Sequence, residues 1–195
     1  MKPHLKLYGS LTSPFTRRLR VVLDPSLYEF ILKDIFSPVD RESFKSLSPV
    51  MKVPVLQDGE TLVYDSRLIH RYLGDKGLVA KLDWSTENLQ TIIEGVSDSL
   101  VNMLLLKRSS VVLDPGSPLG LSHAARVTES LAYLEKEASE GTFGRWDFVS
   151  ISLYCLIDWA RFRELVSMEK YPHLLRFTED CVSRPRVVDT DPRNA

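Results

Sequence analysis

The sequence predicts a fold in two parts, an α/β domain in the first third of the chain and an all-helical bundle after it. Short β-patterned runs alternate with helical ones as far as Leu73, and a stretch mixing glycine and charge follows. Beyond that stretch the apolar residues recur at the three-and-four spacing of helices.

Leu5 to Tyr8 alternate as a strand does, and Gly9 to Ser13 form a turn. Ser13-Pro14 then opens a helix, with a hydroxyl acceptor at the N-cap and proline's fixed φ at the first helical position. Phe15, Leu19, Val22 and Leu23 give this helix an apolar face, and Asp24-Pro25 ends it. A second strand is expected from Tyr28 to Ile35, then a polar stretch from Arg41 to Ser48. Val53 to Leu56 and Leu62 to Tyr64 read as a hairpin around Asp58-Gly59, a pair suited to turn positions of positive φ. Asp65-Ser66 caps a helix carrying Leu68, Ile69, Tyr72 and Leu73. The order β-α-β then β-β-α is that of thioredoxin-like folds, so residues 1–76 are expected to form such a domain.

Residues 77–85 read as a linker, and residues 86–195 as the helical domain. Helices are expected over Thr86–Ser109, around Ala124 to Ala138, from Asp147 through Phe162, and from His173 to Ser183. The run from Asp147 is apolar on nearly all sides and belongs at the centre of a bundle. A loop rich in proline and glycine spans Asp114 to Gly120, and the tail after Pro185 has no periodicity.

Lys and Arg total 25 against 26 Asp and Glu, a balance without the basic footprint of a nucleic-acid binder. The N-terminus lacks a sustained apolar run and no stretch of about 18 apolar residues is evident, so a cytoplasmic protein without a membrane partner is expected. Cys155 and Cys181 are too few for a disulfide framework and wrongly spaced for zinc, and read as core thiols. The histidines at 4, 70, 123 and 173 have no metal-site spacing, and no metal is expected.

Ser13 to Thr16 stand where a thioredoxin-like domain carries its redox cysteines, and neither position is cysteine, which excludes disulfide exchange there. What remains is a hydroxyl and the backbone N–H groups of a helix N-terminus, which favour an anion. A thiol delivered by a ligand would have its thiolate stabilised there by roughly one to two pKa units. The plainer reading is that Ser13 only caps the helix. Val53-Pro54 opens a strand, where a cis bond would present the Val53 backbone to a peptide ligand; an ordinary edge proline is the alternative. Lys52 can pair with a carboxylate. Asp65-Ser66 offers a carboxylate for an ammonium group and a hydroxyl with N–H donors for a carboxylate, a set suited to an α-amino acid head, though a simple helix start has the same residues. Arg17, Arg18 and Arg20 read as a solvated helix face.

Three segments, Tyr8 to Arg18, Ser48 to Leu56, and Tyr64-Asp65-Ser66 with Ile69, Tyr72 and Leu73, closely resemble the N-terminal domain of glutathione transferases. The Ser13-Pro14-Phe15 form resembles the serine-type branch seen in tau-class and several bacterial members. The resemblance implies that Ser13 is the catalytic hydroxyl that activates the glutathione sulfur, with Thr12 and Ser10 as competitors for that role. It further implies that Phe15, Lys52, Val53, cis Pro54, Asp65 and Ser66 line the glutathione site. Leu11, Phe15, Leu104, Arg108 and Trp159 would line a pocket for the electrophile, although bundle core is an equal reading for Leu104 and Trp159. Glutathione would be co-substrate in conjugation of hydrophobic electrophiles, or in peroxide reduction, with a detoxifying role and a homodimeric assembly. The alternative is a non-catalytic member serving as an interaction or regulatory module. Two departures stand out. Ser48-Pro49-Val50-Met51 replaces the family's usual Asn-Pro-x-Gly, and Asp147 to Ser150 exchanges the polar ends of its Ser-x-x-Asp box.

Overall fold

The computed structural model describes residues 4–195 and divides into two units, Met1–Leu82 with Ser183–Ala195, and Asp83–Val182. The first unit contains β1 (Leu5–Gly9), α1 (Pro14–Val22), β2 (Tyr28–Leu32), α2 (Pro38–Lys45), β3 (Val55–Asp58), β4 (Thr61–Tyr64) and α3 (Ser66–Asp75). Its sheet has the order β2-β1-β3-β4, with β1 parallel to β2 and antiparallel to β3, and β3 antiparallel to β4. This is the expected thioredoxin-like arrangement, with one helix more than the sequence pattern announces.

That helix, α2, occupies most of the stretch expected to be polar loop. Ser37-Pro38 starts it as Ser13-Pro14 starts α1, but Phe44 is its only buried side chain, so there is almost no apolar period to read. β2 accordingly stops at Leu32 and not Ile35. The hairpin turn also differs from expectation. Asp58 is the last residue of β3, paired with Thr61, and only Gly59 has positive φ, at 60°. A single positive φ at the first central position is the II′ arrangement, and it releases Asp58 to point into the fold. There Asp58 accepts hydrogen bonds from Tyr72 Oη at 2.8 Å and from Lys76 Nζ, and His4 Nδ1 lies 3.4 Å from its other oxygen.

Arg17 and Arg18 are each only 2% exposed, which corrects the expectation of a solvated face. Arg17 donates from Nε to Thr190 Oγ1 at 3.3 Å and from Nη2 to the Val187 carbonyl at 3.2 Å. Arg186 Nε in turn donates to the Val21 carbonyl at 2.7 Å. These bonds explain why the last residues pack with the α/β unit, so the helical unit is Asp83–Val182 where 86–195 was expected. Arg20 stacks its guanidinium 4.6 Å from the Phe30 ring centroid.

The second unit contains α4 (Trp84–Arg108), α5 (Pro118–Ser139), α6 (Phe148–Phe162) and α7 (Pro172–Cys181). Asp83, Ser117 and Asp147 cap the first three, each accepting from a backbone N–H of the first turn. α6 is buried from Phe148 to Ala160, as its all-round apolar pattern predicts. Both cysteines are buried, and neither is in a disulfide among the described residues. The helix α4, 25 residues and roughly 38 Å long, is by length and composition alone able to cross a membrane, which corrects the expectation that no such stretch exists. In the fold it packs against α5 and α6 through residues that include Ile93, Val96 and Leu100.

Candidate functional site

Strand register alone brings three loops to one end of the sheet. Tyr8, just before the end of β1, pairs with Val55 at the start of β3, and Val55 pairs with Tyr64 at the end of β4. The turn from Gly9 to Ser13, the segment Lys52–Pro54 and the residues Asp65 and Ser66 therefore converge. Gly9 permits the first of these. A Cβ there would fall 2.3 Å from Thr16 Cγ2, so a side chain would force α1 away from the strand end.

Ser13 is the N-cap of α1, with its Oγ accepting from the Thr16 N–H at 3.3 Å and Pro14 in the first turn. The hydroxyl proton makes no hydrogen bond to the described residues and is free to donate toward an acceptor in front of the helix. A thiolate is such an acceptor, and the helix dipole adds to its stabilisation. Thr12 and Ser10 are half-buried in the same turn, and their hydroxyls also make no hydrogen bond among the described residues. Phe15 is half-buried, its ring 5.0 Å from the Arg18 guanidinium, and Leu11 is half-buried in the turn.

The Val53-Pro54 bond is cis. Lys52 before it is exposed, and among the described residues it has no ion pair. Met51 adopts φ 51°, the left-handed region in which glycine is the favoured residue. The glycine usual in the resembled motif thus has a conformational reason, and this chain departs from it at a cost.

Asp65 caps α3 with φ 71° and ψ 131°, a conformation rare for a residue with a side chain and common at functional turns. Its Oδ1 accepts from the N–H groups of Arg67 at 2.8 Å and Leu68 at 3.4 Å. Ser66 beside it is 2% exposed, and its Oγ accepts from Arg18 Nε at 3.0 Å and also from Arg18 Nη2. Sequence reasoning misses Arg18. This buried cation in the middle of α1 ties that helix to the N-terminus of α3, spends only the acceptor side of Ser66, and adds positive charge beside that N-terminus. An arginine next to a second arginine carries no local sign of facing inward.

In the helical unit Leu104 is half-buried, Arg108 is exposed at the end of α4, and Trp159 is 4% exposed in α6. Asp98 on α4 is exposed. Among the described residues no group of three His, Cys, Asp or Glu side chains is placed to hold a metal ion.

Comparison with known proteins extends this geometry. Residues 7–77 match the family model for the glutathione S-transferase N-terminal domain. The chain is 26% identical over 207 residues to the uncharacterized GST-like protein YibF of Escherichia coli K12, covering 98% of this chain and all of that one. It is 45% identical over 74 residues to glutathione S-transferase hmp2 of Hypomyces subiculosus, which is 37% of this chain and 34% of that protein. Among solved structures, a glutathione transferase family member from Pseudomonas fluorescens Pf-5 with bound glutathione superposes with a TM-score of 0.79 at 24% identity, over 95% of this chain and 98% of that one. A glutathione S-transferase from Methylobacillus flagellatus KT with glutathione bound gives 0.78 at 22%, with the same coverage. The chain has the glutathione transferase fold, a thioredoxin-like domain with a helical one.

Proposed function

We propose that this protein is a serine-type glutathione transferase that joins glutathione to hydrophobic electrophiles. The observation that carries this reading is the Ser13 hydroxyl at the N-cap of α1, its proton uncommitted, in the domain matched to the family. Glutathione bound to the two comparison structures above supports the choice of thiol.

In this reading Ser13 donates to the sulfur and, with the α1 dipole, holds it as thiolate. Val53 pairs its backbone with the cysteinyl unit beside Pro54, and Lys52 meets a glutathione carboxylate. Asp65 takes the γ-glutamyl ammonium, and Ser66, held by Arg18, donates to the γ-glutamyl carboxylate. With an aryl halide the thiolate forms a C–S bond and halide leaves. Holding both reactants supplies the remaining acceleration. With an organic peroxide the thiolate attacks the peroxide oxygen, the O–O bond breaks to release an alcohol and leave glutathione sulfenic acid, and a second glutathione thiol condenses with it to give glutathione disulfide and water. Leu11 and Phe15, beside Ser13 in the α/β unit, are proposed to meet the electrophile, in a homodimeric cytoplasmic protein without resident metal.

The test is a pair of measurements on purified protein. Glutathione at millimolar concentration should raise the melting temperature, and a generic aryl halide should be consumed with glutathione. Ser13→Ala should lower kcat/KM about a hundredfold with melting temperature little changed. Unchanged turnover in Ser13→Ala, with Ser10→Ala or Thr12→Ala impaired, would move the role to that hydroxyl. No glutathione-dependent stabilisation would favour the non-catalytic interaction module.

A further inference from the structure

Ser66 is the first residue of α3, and only 2% of it is exposed. Its hydroxyl has two lone pairs and one proton to place. Arg18 takes the oxygen with a fork, Nε donating at 3.0 Å and Nη2 donating beside it. Both lone pairs are then engaged, so the proton points away from the guanidinium. No acceptor among the described residues takes that proton. A hydroxyl held by its oxygen, largely shut off from bulk water and with its proton uncommitted, is set to donate to a ligand.

The guanidinium is held in its turn. Arg18 is as deeply buried as Ser66, and its guanidinium carbon lies 5.0 Å from the centroid of the Phe15 ring, one turn earlier on α1. Ring and fork together restrict rotation of the planar group. The next donors along α3 are already engaged, because the N–H groups of Arg67 and Leu68 donate to Asp65 Oδ1 at 2.8 and 3.4 Å. A carboxylate arriving at this helix start therefore depends on the direction of the Ser66 hydroxyl, and that direction is set from α1.

We propose that Arg18 is a positioning residue for carboxylate recognition. By occupying the acceptor side of Ser66 Oγ it aims the hydroxyl proton at the α-carboxylate of the γ-glutamyl unit, and so sets the preference for thiols that carry this group. The inference rests on the glutathione reading and adds to it a residue that acts only through another. Lysine is no substitute at this position. Its ammonium is a compact charge on a flexible stem, without the fork that engages both lone pairs at once.

The experiment compares two thiol peptides by calorimetric titration of the whole protein. One is glutathione, and the other is 4-aminobutyryl-cysteinylglycine, which is glutathione without the α-carboxylate of its γ-glutamyl unit. The wild-type protein should bind glutathione about a hundredfold more tightly than the analogue. Arg18→Lys should cut that ratio about tenfold although it keeps the positive charge, and Ser66→Ala should cut it as far. Combining the two substitutions should lower the ratio no further than Ser66→Ala alone, because Arg18 acts through the hydroxyl. Damage to the fold would weaken both peptides together and leave their ratio as in wild type.

An unchanged ratio in Arg18→Lys overturns the proposal, and so do additive losses in the double variant, which would mean that the charge of Arg18 attracts the carboxylate directly. Ser66→Ala leaves Arg18 in place, so an unchanged ratio there overturns the proposal even if Arg18→Lys fails to fold. Wild-type protein that binds neither peptide overturns the glutathione reading and this proposal with it, whereas glutathione binding with a ratio indifferent to Arg18 overturns the role of Arg18 alone.

Discussion

Helices α1 and α6 are both largely enclosed by the protein, and they are enclosed in opposite ways. α6 buries a largely apolar surface from Phe148 to Ala160 in which Asp158 is the one carboxylate. α1 buries Arg17 and Arg18 alongside Leu19 and Val21, and each arginine is met by named oxygen acceptors. Apolar burial is strong but directionally tolerant, whereas hydrogen bonds to a guanidinium fix an orientation. The helix that presents Ser13 is the one held by directional bonds, and the helix that only has to be buried is held by area.

The largest effect should come from opening a cavity in α6. Leu153→Ala, at a position 0% exposed, should cost about 2–5 kcal/mol in urea unfolding of the protein. A loss below about 1 kcal/mol would mean that α6 is loosely packed, contrary to the comparison. On α1, Arg17→Met keeps bulk but leaves Thr190 and Val187 without their donor, and should cost about 2 kcal/mol. Limited proteolysis should then cut the residues after Ser183 faster; an unaltered digestion pattern would show that Arg17 does not hold them.

Asp58 gives the next effect. The Lys76 hydrogen bond holds its carboxyl below the usual carboxylate range, with burial opposing and Tyr72 assisting. A depressed folded pKa contributes stability that is present above the unfolded value, about 4, and is lost as pH falls through the folded one. Asp58→Asn should therefore lose about 1 kcal/mol at neutral pH and flatten the acid limb of the stability curve. Met51→Gly works in the other direction. By relieving the left-handed strain at φ 51° it should gain about 1 kcal/mol, unless Met51 packing against the Tyr8, Phe44 and Val55 cluster offsets the gain, which a melting curve would read directly. The smallest effect belongs to Asp83, the exposed cap of α4. Its carboxyl is lowered to about 2, first by the Thr86 backbone N–H, so its capping contribution should fade only as pH falls from about 4 toward 2. Helicity of Asp83→Asn should be insensitive to pH across that window.

What could be read before folding follows a local rule. Ser13-Pro14, Asp65-Ser66 and Asp147 are recognisable because a cap acts on N–H groups two or three residues away. The β-α-β and β-β-α order is visible because alternation and helical period are properties of short windows. α2 escapes because one buried side chain, Phe44, makes no period. Asp58 is misplaced because Asp-Gly is a strong turn signal, while the donors that draw Asp58 inward, Tyr72 and Lys76, come from another element.

The same rule divides the candidate site. Adjacent residues sufficed to place the Ser13 hydroxyl at a helix N-terminus and to set Asp65 and Ser66 at another, since capping needs only neighbours in the chain. The role of Arg18 depends on Ser66, 48 residues away, and that of Arg17 on Thr190, 173 residues away. A charged side chain is buried or solvated according to whether an acceptor reaches it, and that acceptor is delivered by folding, so these two arginines declare their places only when α3 and the chain end have packed onto α1.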